Sequence, residues 1–230
     1  MTNIWRLFLL LVLTSTGAAC TSLSGSVRPV PVMPFSFDSA VSRQVIEVRP
    51  AGGVHPFQAV LTAWDYRQDA WRKILGPWPV VVGRNGFAPR GSKREGDGRT
   101  PSGVYALGGA FGERNLIATG LAYRQVNADD IWIDDPASAD YNRWVKLPVT
   151  AASFEYMLRP DGLYEMGLII EYNTSPVVPG DGSAIFMHIW RDRGRAPTSG
   201  CVGVDRWRLR RLLNWLETDQ NPVILLGDPG

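Results

Sequence analysis

The sequence predicts a mainly β fold with one C-terminal helix and few other short helices. Three observations carry that prediction. Short extended runs alternate with Gly, Pro, Asn and Asp along most of the chain. Gly (24 residues) and Pro (17) are plentiful, which favours turns over long helices. Leucines at helical spacing occur near the C-terminal end, at Leu209, Leu212, Leu213 and Leu216. The rest of the composition is that of a globular protein: 45% hydrophobic and 20% charged residues exclude a disordered tail. A net charge of +2 gives no electrostatic case for nucleic acid as a partner.

The elements follow in order. Val45 to Val48, Phe57 to Trp64, Val80 to Val82 and Val104 to Leu107 read as strands. Ile131 to Ile133, Leu163 to Tyr172 and Ala184 to Trp190 continue the series. Leu168-Ile169-Ile170 and Ala184-Ile185-Phe186-Met187 are continuously apolar, as central strands are. Ala151 to Leu158 is expected to form a second short helix. Asp205 is the expected N-cap of the leucine helix, and Asn221-Pro222 its expected stop. Val223 to Leu226 closes the domain as a buried strand.

Residues 1–19 read as an export signal. Arg6 precedes the apolar run Leu7 to Leu13, which is shorter than the ~20 residues a bilayer span needs. Gly17-Ala18-Ala19 and then Cys20 follow. One reading is a cut by the ordinary signal peptidase, with Cys20 incidental. The other rests on a resemblance to a bacterial lipobox, in which the cysteine becomes the lipidated first residue; Gly17 stands where a lipobox usually has Leu. Residues 20–40 are then a lipid anchor and tether, rich in Ser, Pro and Val, and residues 41–230 the working domain. The expected location is exported and periplasmic, membrane-held through lipid on Cys20. Thr21 favours the outer membrane.

Cys and His, two of each, are the scarcest residues. A disulfide scaffold is excluded. A Cys/His metal site would need Cys20, His55, His188 and Cys201 to converge, and Cys20 is taken by the anchor, so no metal is expected. Cys201 is then a thiol without a partner in an oxidising compartment.

The segment His188 to Cys201 is the most informative. His188 ends a buried strand, and Cys201 follows the turn Pro197-Thr198-Ser199-Gly200. A loop this short can bring imidazole and thiol together, the minimum for attack on a carbonyl by a thiolate. Gly200 permits close backbone approach, and amides around Gly200 and Cys201 can face a developing oxyanion. Arg191, Arg193 and Arg195 are cations expected to lower the thiol pKa. The residues alone leave a second reading open: a satisfied core histidine and a small buried cysteine.

This segment resembles the signature of the L,D-transpeptidase catalytic domain, a His followed after a short loop by Ser/Thr-x-Gly-Cys, here His188 and Thr198-Ser199-Gly200-Cys201. A second stretch, Gly96-Asp97-Gly98-Arg99-Thr100-Pro101-Ser102-Gly103-Val104-Tyr105, resembles the Gly-x-x-Thr-Pro-x-Gly-x-Phe/Tyr element of that family. The resemblance runs from about Phe57 to Leu226. Many relatives have His or Gln where this chain has Ser199, and Arg or Asn where it has Gly203. The resemblance implies a β-sandwich-like catalytic domain that needs no cofactor. It implies acyl transfer on peptidoglycan stem tetrapeptides: Cys201 as nucleophile, His188 as base and then acid, the Gly200 backbone in the oxyanion hole, and release of D-alanine. Thr198, Ser199, Arg191, Arg195, Tyr172 and Asn173 are candidates for substrate contact. An L,D-carboxypeptidase and a wall-binding lipoprotein without catalysis are the alternatives. The chain is read as a monomer, with its oligomeric state left open by the sequence.

Overall fold

The computed structural model describes residue 1 and residues 38–228. The signal, Cys20 and most of the tether lie outside the described residues. No helix among the described residues is long and apolar enough to cross a membrane.

Among the described residues there are twelve strands and one α-helix. β1 (Gln44–Pro50), β2 (Gln58–Arg67), β3 (Ala70–Val81), β4 (Gly103–Gly112) and β5 (Tyr123–Gln125) come first. β6 (Asp130–Ile133), β7 (Trp144–Lys146), β8 (Phe154–Tyr156), β9 (Met166–Ile170) and β10 (Phe186–Ile189) follow. β11 (Val202–Val204), α1 (Arg206–Trp215) and β12 (Val223–Leu226) end the domain. The main sheet runs β12-β1-β2-β3-β11-β10-β9-β4-β5, and β12 also pairs with β4. Eight of its strands therefore close into a ring, with β5 attached at the side. β12 makes the closure by lying parallel to β1 (Val45 opposite Val223) and antiparallel to β4 (Leu226 opposite Gly103). A three-stranded sheet, β7-β6-β8, stands apart. The mainly β, sandwich-like expectation is borne out.

Inside the ring lies the larger core, which includes Ile46, Leu61, Leu168, Met187, Val202 and Ile224. Helix α1 seals it with Leu209, Leu212 and Leu213, each worth roughly 2 kcal/mol of apolar burial. Asp205 caps this helix as expected, its Oδ1 accepting from Trp207 N (3.0 Å) and Arg208 N (3.3 Å). A second, aromatic cluster contains Phe111, Trp132, Met157, Tyr164 and Phe186, and Cys201 belongs to it.

Three expectations are corrected. Ala151 to Leu158 is no helix: Phe154–Tyr156 is β8, paired with β6 through Ile133–Phe154 and Ile131–Tyr156. Two aromatics flanking one acid have the period of a strand, and the rings of Phe154 and Tyr156 meet at 5.3 Å on one side. The helix α1 ends at Trp215, before Asn221-Pro222. There the Gln44 side chain takes over the chain end, donating to Trp215 O (2.8 Å) and accepting from Glu217 N (2.9 Å). Strand β3 begins ten residues before the predicted Val80. It forms a hairpin with β2 across Gln68 and Asp69, both at positive φ (51° and 57°), a two-residue turn without the usual glycine to announce it.

Candidate active site

Strand periodicity sets the first half of the site. Along β10, Met187 and Ile189 enter the ring core, while Phe186 enters the aromatic cluster. His188 shares the Phe186 side, and its ring meets Tyr164 edge-on at 5.3 Å. β11 runs parallel to β10, with Gly203 opposite His188. That register carries Cys201, one residue ahead of β11, back to the start of β10. Cys201 Sγ donates to Ala184 O (3.1 Å) and accepts from Phe186 N–H (3.3 Å). Ala184 holds a left-handed backbone (φ 52°), a conformation that costs an L residue roughly 1 kcal/mol. Asn142 supports it: its Oδ1 accepts from Ala184 N (3.0 Å) and Trp132 Nε1 (2.9 Å).

The two motifs noted in the sequence meet here. Thr100 is fully buried, and its hydroxyl donates to Gly200 O (2.7 Å) while accepting from Gly83 N (2.9 Å). A Cβ on Gly200 would stand 3.0 Å from Arg99 O, which is why this position takes glycine. Thr198 Oγ1 donates to Cys201 O (2.7 Å) and accepts from Gly200 N (3.2 Å), so the Gly200 amide is engaged inside the turn. Gly203 has a packing reason too. A Cβ there would lie 2.7 Å from Val81 Cγ2, so the larger residue of many relatives does not fit this chain.

A pocket of about 120 Å³ opens onto these groups. It is lined by Glu155, Arg159, Tyr164, His188, Arg191 and Cys201, with Thr198 and Ser199 at the same wall. His188 and Cys201 are thus brought together at one cavity, with 6% and 9% of their surface exposed. His188 Nδ1 lies 2.8 Å from Ile189 O. A carbonyl can only accept, so the ring proton is assigned to Nδ1, and Nε2 keeps its lone pair.

Burial holds both groups neutral at rest. It lowers the His188 pKa to about 4 and pushes the Cys201 thiol up to about 12, the latter with help from the Glu155 charge. The expectation that arginines lower the thiol pKa is therefore corrected. Arg195 is spent on Asp192 (2.6 Å) and is 74% exposed, while Arg191 is mostly exposed and pairs with Asp161 (3.2 Å). Burial outweighs cations that stay in water. Among the described residues, no group of three or more His, Cys, Asp or Glu could hold a metal ion.

The neutral His188 has a measurable consequence. Its folded pKa is below the ordinary 6.5, so the unfolded chain binds the extra proton between about pH 6.5 and 4. Stability is then full above pH 6.5 and falls as pH drops through 4, by about 3 kcal/mol from this group. Urea unfolding from pH 4 to 7 is expected to show that slope in the wild type relative to His188→Gln. Parallel curves for the two proteins would contradict it.

The remaining candidates lie elsewhere. Tyr172 borders a different cavity with Arg90, Lys93 and Tyr105, and its hydroxyl donates to Asp181 O (2.6 Å). Asn173 ties its own loop, with Nδ2 donating to Val178 O and Gly182 O, each at 2.9 Å. Arg195 is not among the residues lining the His188 and Cys201 pocket. Glu155, Arg159 and Tyr164 are the polar lining residues that sequence reasoning did not select. The one signal for Glu155 was its place between Phe154 and Tyr156, visible once that segment is read as a strand.

A ring of strands thus brings a thiol and an imidazole to one pocket, tied to a buried Thr-Pro loop. The chain belongs to the family of L,D-transpeptidase catalytic domains (YkuD), which residues 58–225 match. A search of curated proteins finds no match. Among solved structures the chain is similar to the helical cell shape determining protein Pgp2 of Campylobacter jejuni, at 14% identity and a TM-score of 0.44. That likeness covers 84% of this chain and 52% of the other, so the chain spans about half the length of Pgp2.

Proposed function

We propose that this chain is an exported L,D-transpeptidase that acylates Cys201 with a peptidoglycan stem tetrapeptide and passes the acyl group to an amine. The observation that carries this reading is the shared pocket of Cys201 Sγ and a neutral His188 whose Nε2 is free to accept a proton. Sγ gives its proton to Nε2 and bonds to the carbonyl carbon of the third stem residue. The tetrahedral intermediate collapses, D-alanine leaves with the proton from Nε2, and a thioester remains. An acceptor amine attacks that thioester and gives its proton to Nε2. Sγ departs and takes the proton back, so the pair returns to its resting state. The thiolate exists only when His188 can take its proton, which fits a thiol that burial keeps protonated at rest. Lipid on Cys20, a periplasmic location and the 41–230 domain boundary belong to the same proposal. Membrane attachment would bring the domain to the wall.

A second reading is favoured by one observation, the burial of the thiol, which raises its pKa: a wall-binding domain that performs no acyl transfer. Incubation of the purified chain with a stem tetrapeptide and an amine separates the cases. Transfer is expected to give free D-alanine and a new amide in equal amounts. Tripeptide alone would mean hydrolysis at the same site. Bound but unaltered peptide would mean the binding domain.

A further inference from the structure

Glu155 is the one carboxylate lining the pocket that holds Cys201 and His188. It is partly buried, on β8. Its Oε2 accepts from the fully buried Tyr164 hydroxyl at 2.6 Å, and Oε1 takes no hydrogen bond from a described residue. Burial raises the Glu155 pKa, and the Arg159 charge on the same wall offsets that only in part. Arg159 gives Nε and Nη2 to Asp161 (3.0 and 2.7 Å), and Arg191 gives Nη2 to that same carboxylate (3.2 Å). One acid outside the pocket lining thus holds two cations, while the acid inside is held by a phenol. A carboxylate kept in a small, partly dehydrated pocket calls for a cation from outside.

We propose that Glu155 is the subsite that receives a primary ammonium of the substrate, the acceptor's above all, and takes one proton from it on Oε1; the neutral amine left beside Cys201 then attacks the thioester, gives its second proton to His188 Nε2, and Glu155 returns its proton to water. The assignment rests on the acyl-transfer reading and specifies which amines that site accepts. Tyr164 is its positioning residue: one hydroxyl fixes the carboxylate, and the same ring packs on His188. An ammonium seated on Glu155 also offsets the negative charge that opposes ionisation of the thiol. A cationic substrate thereby helps to arm the sulfur that it will meet.

Three methanethiosulfonates of similar size test this on the thiol itself, whether or not the protein transfers acyl groups. The 2-aminoethyl reagent is a cation, the n-propyl reagent is neutral and the 2-sulfonatoethyl reagent is an anion. Rates are measured on the full chain by mass and divided by those of a free cysteine derivative. The cationic reagent is expected to gain about tenfold over the neutral one, and the anionic reagent to lag behind both. Glu155→Gln keeps the shape and the bond from Tyr164, and should bring the cation-to-neutral ratio close to that of the free thiol. Glu155→Asp keeps the charge and should retain most of the preference. Thermal melting of each variant checks its fold, and a merely structural role would not change a ratio between two reagents. A preference unchanged in Glu155→Gln, or an anion that reacts fastest, would overturn the assignment while leaving the proposed acyl transfer standing. A thiol inert to all three reagents would overturn both.

Discussion

Cys201→Ala is expected to abolish acyl transfer, by at least about 1,000-fold, while leaving the fold intact. The sulfur is the only nucleophile proposed. His188 Nε2 is a base, and the hydroxyl of Thr198 is committed to Cys201 O. The structural cost of the change is small. The lost contacts are one S–H bond to Ala184 O and one N–H bond from Phe186. A removed sulfur beside two backbone groups costs on the order of 1–2 kcal/mol, well within the 5–15 kcal/mol of an ordinary domain. Mass measurement after a carbapenem, a drug class that acylates this family, is the direct readout. The wild type is expected to gain one drug mass and the variant none. An adduct retained in Cys201→Ala would place the nucleophile elsewhere.

Phe186→Ala is expected to be the most damaging single truncation of the site's support, costing about 3–5 kcal/mol. The Phe186 side chain is fully buried, with ring centroids at 4.9 Å from Trp132, 5.5 Å from Phe111 and 5.8 Å from Tyr164. These edge-to-face contacts add to the burial of the ring itself. The cluster cannot collapse easily, because Trp132 is held by Asn142 and Tyr164 by Glu155. The void would lie beside Cys201, so the rate of carbapenem acylation should fall together with the urea midpoint. A midpoint shift worth less than about 1 kcal/mol would mean that the four rings do not pack as described.

Much of this fold was legible because its strands announce themselves. Ile46, Leu168 and Ile224 sit in runs too apolar for an exposed segment, and each lies in the core. Helix α1 was legible from the leucine spacing and from Asp205. The strands that escaped are short or turn-bound: β5, β7, β8 and β11 have three residues each. Three residues carry too few positions to establish a period. The thiol and the imidazole were legible as a pair from one loop and from the family pattern. What sequence could not supply is the balance of forces on them. Nearby arginines suggested a lowered thiol pKa, but whether charge or burial prevails depends on where each guanidinium ends, and Arg191 and Arg195 end in solvent beside their own acids. Glu155 was missed for the same kind of reason, since its role comes from a neighbour nine residues away that only the folded chain brings to it.

The double pairing of β12 reaches beyond architecture. The final strand is the keystone between β1 and β4, so a polypeptide truncated before Val223 would leave two long strands with raw edges. Such edges recruit other chains and invite aggregation. Loss of β12 would therefore turn the domain into a sticky species, a target for proteases.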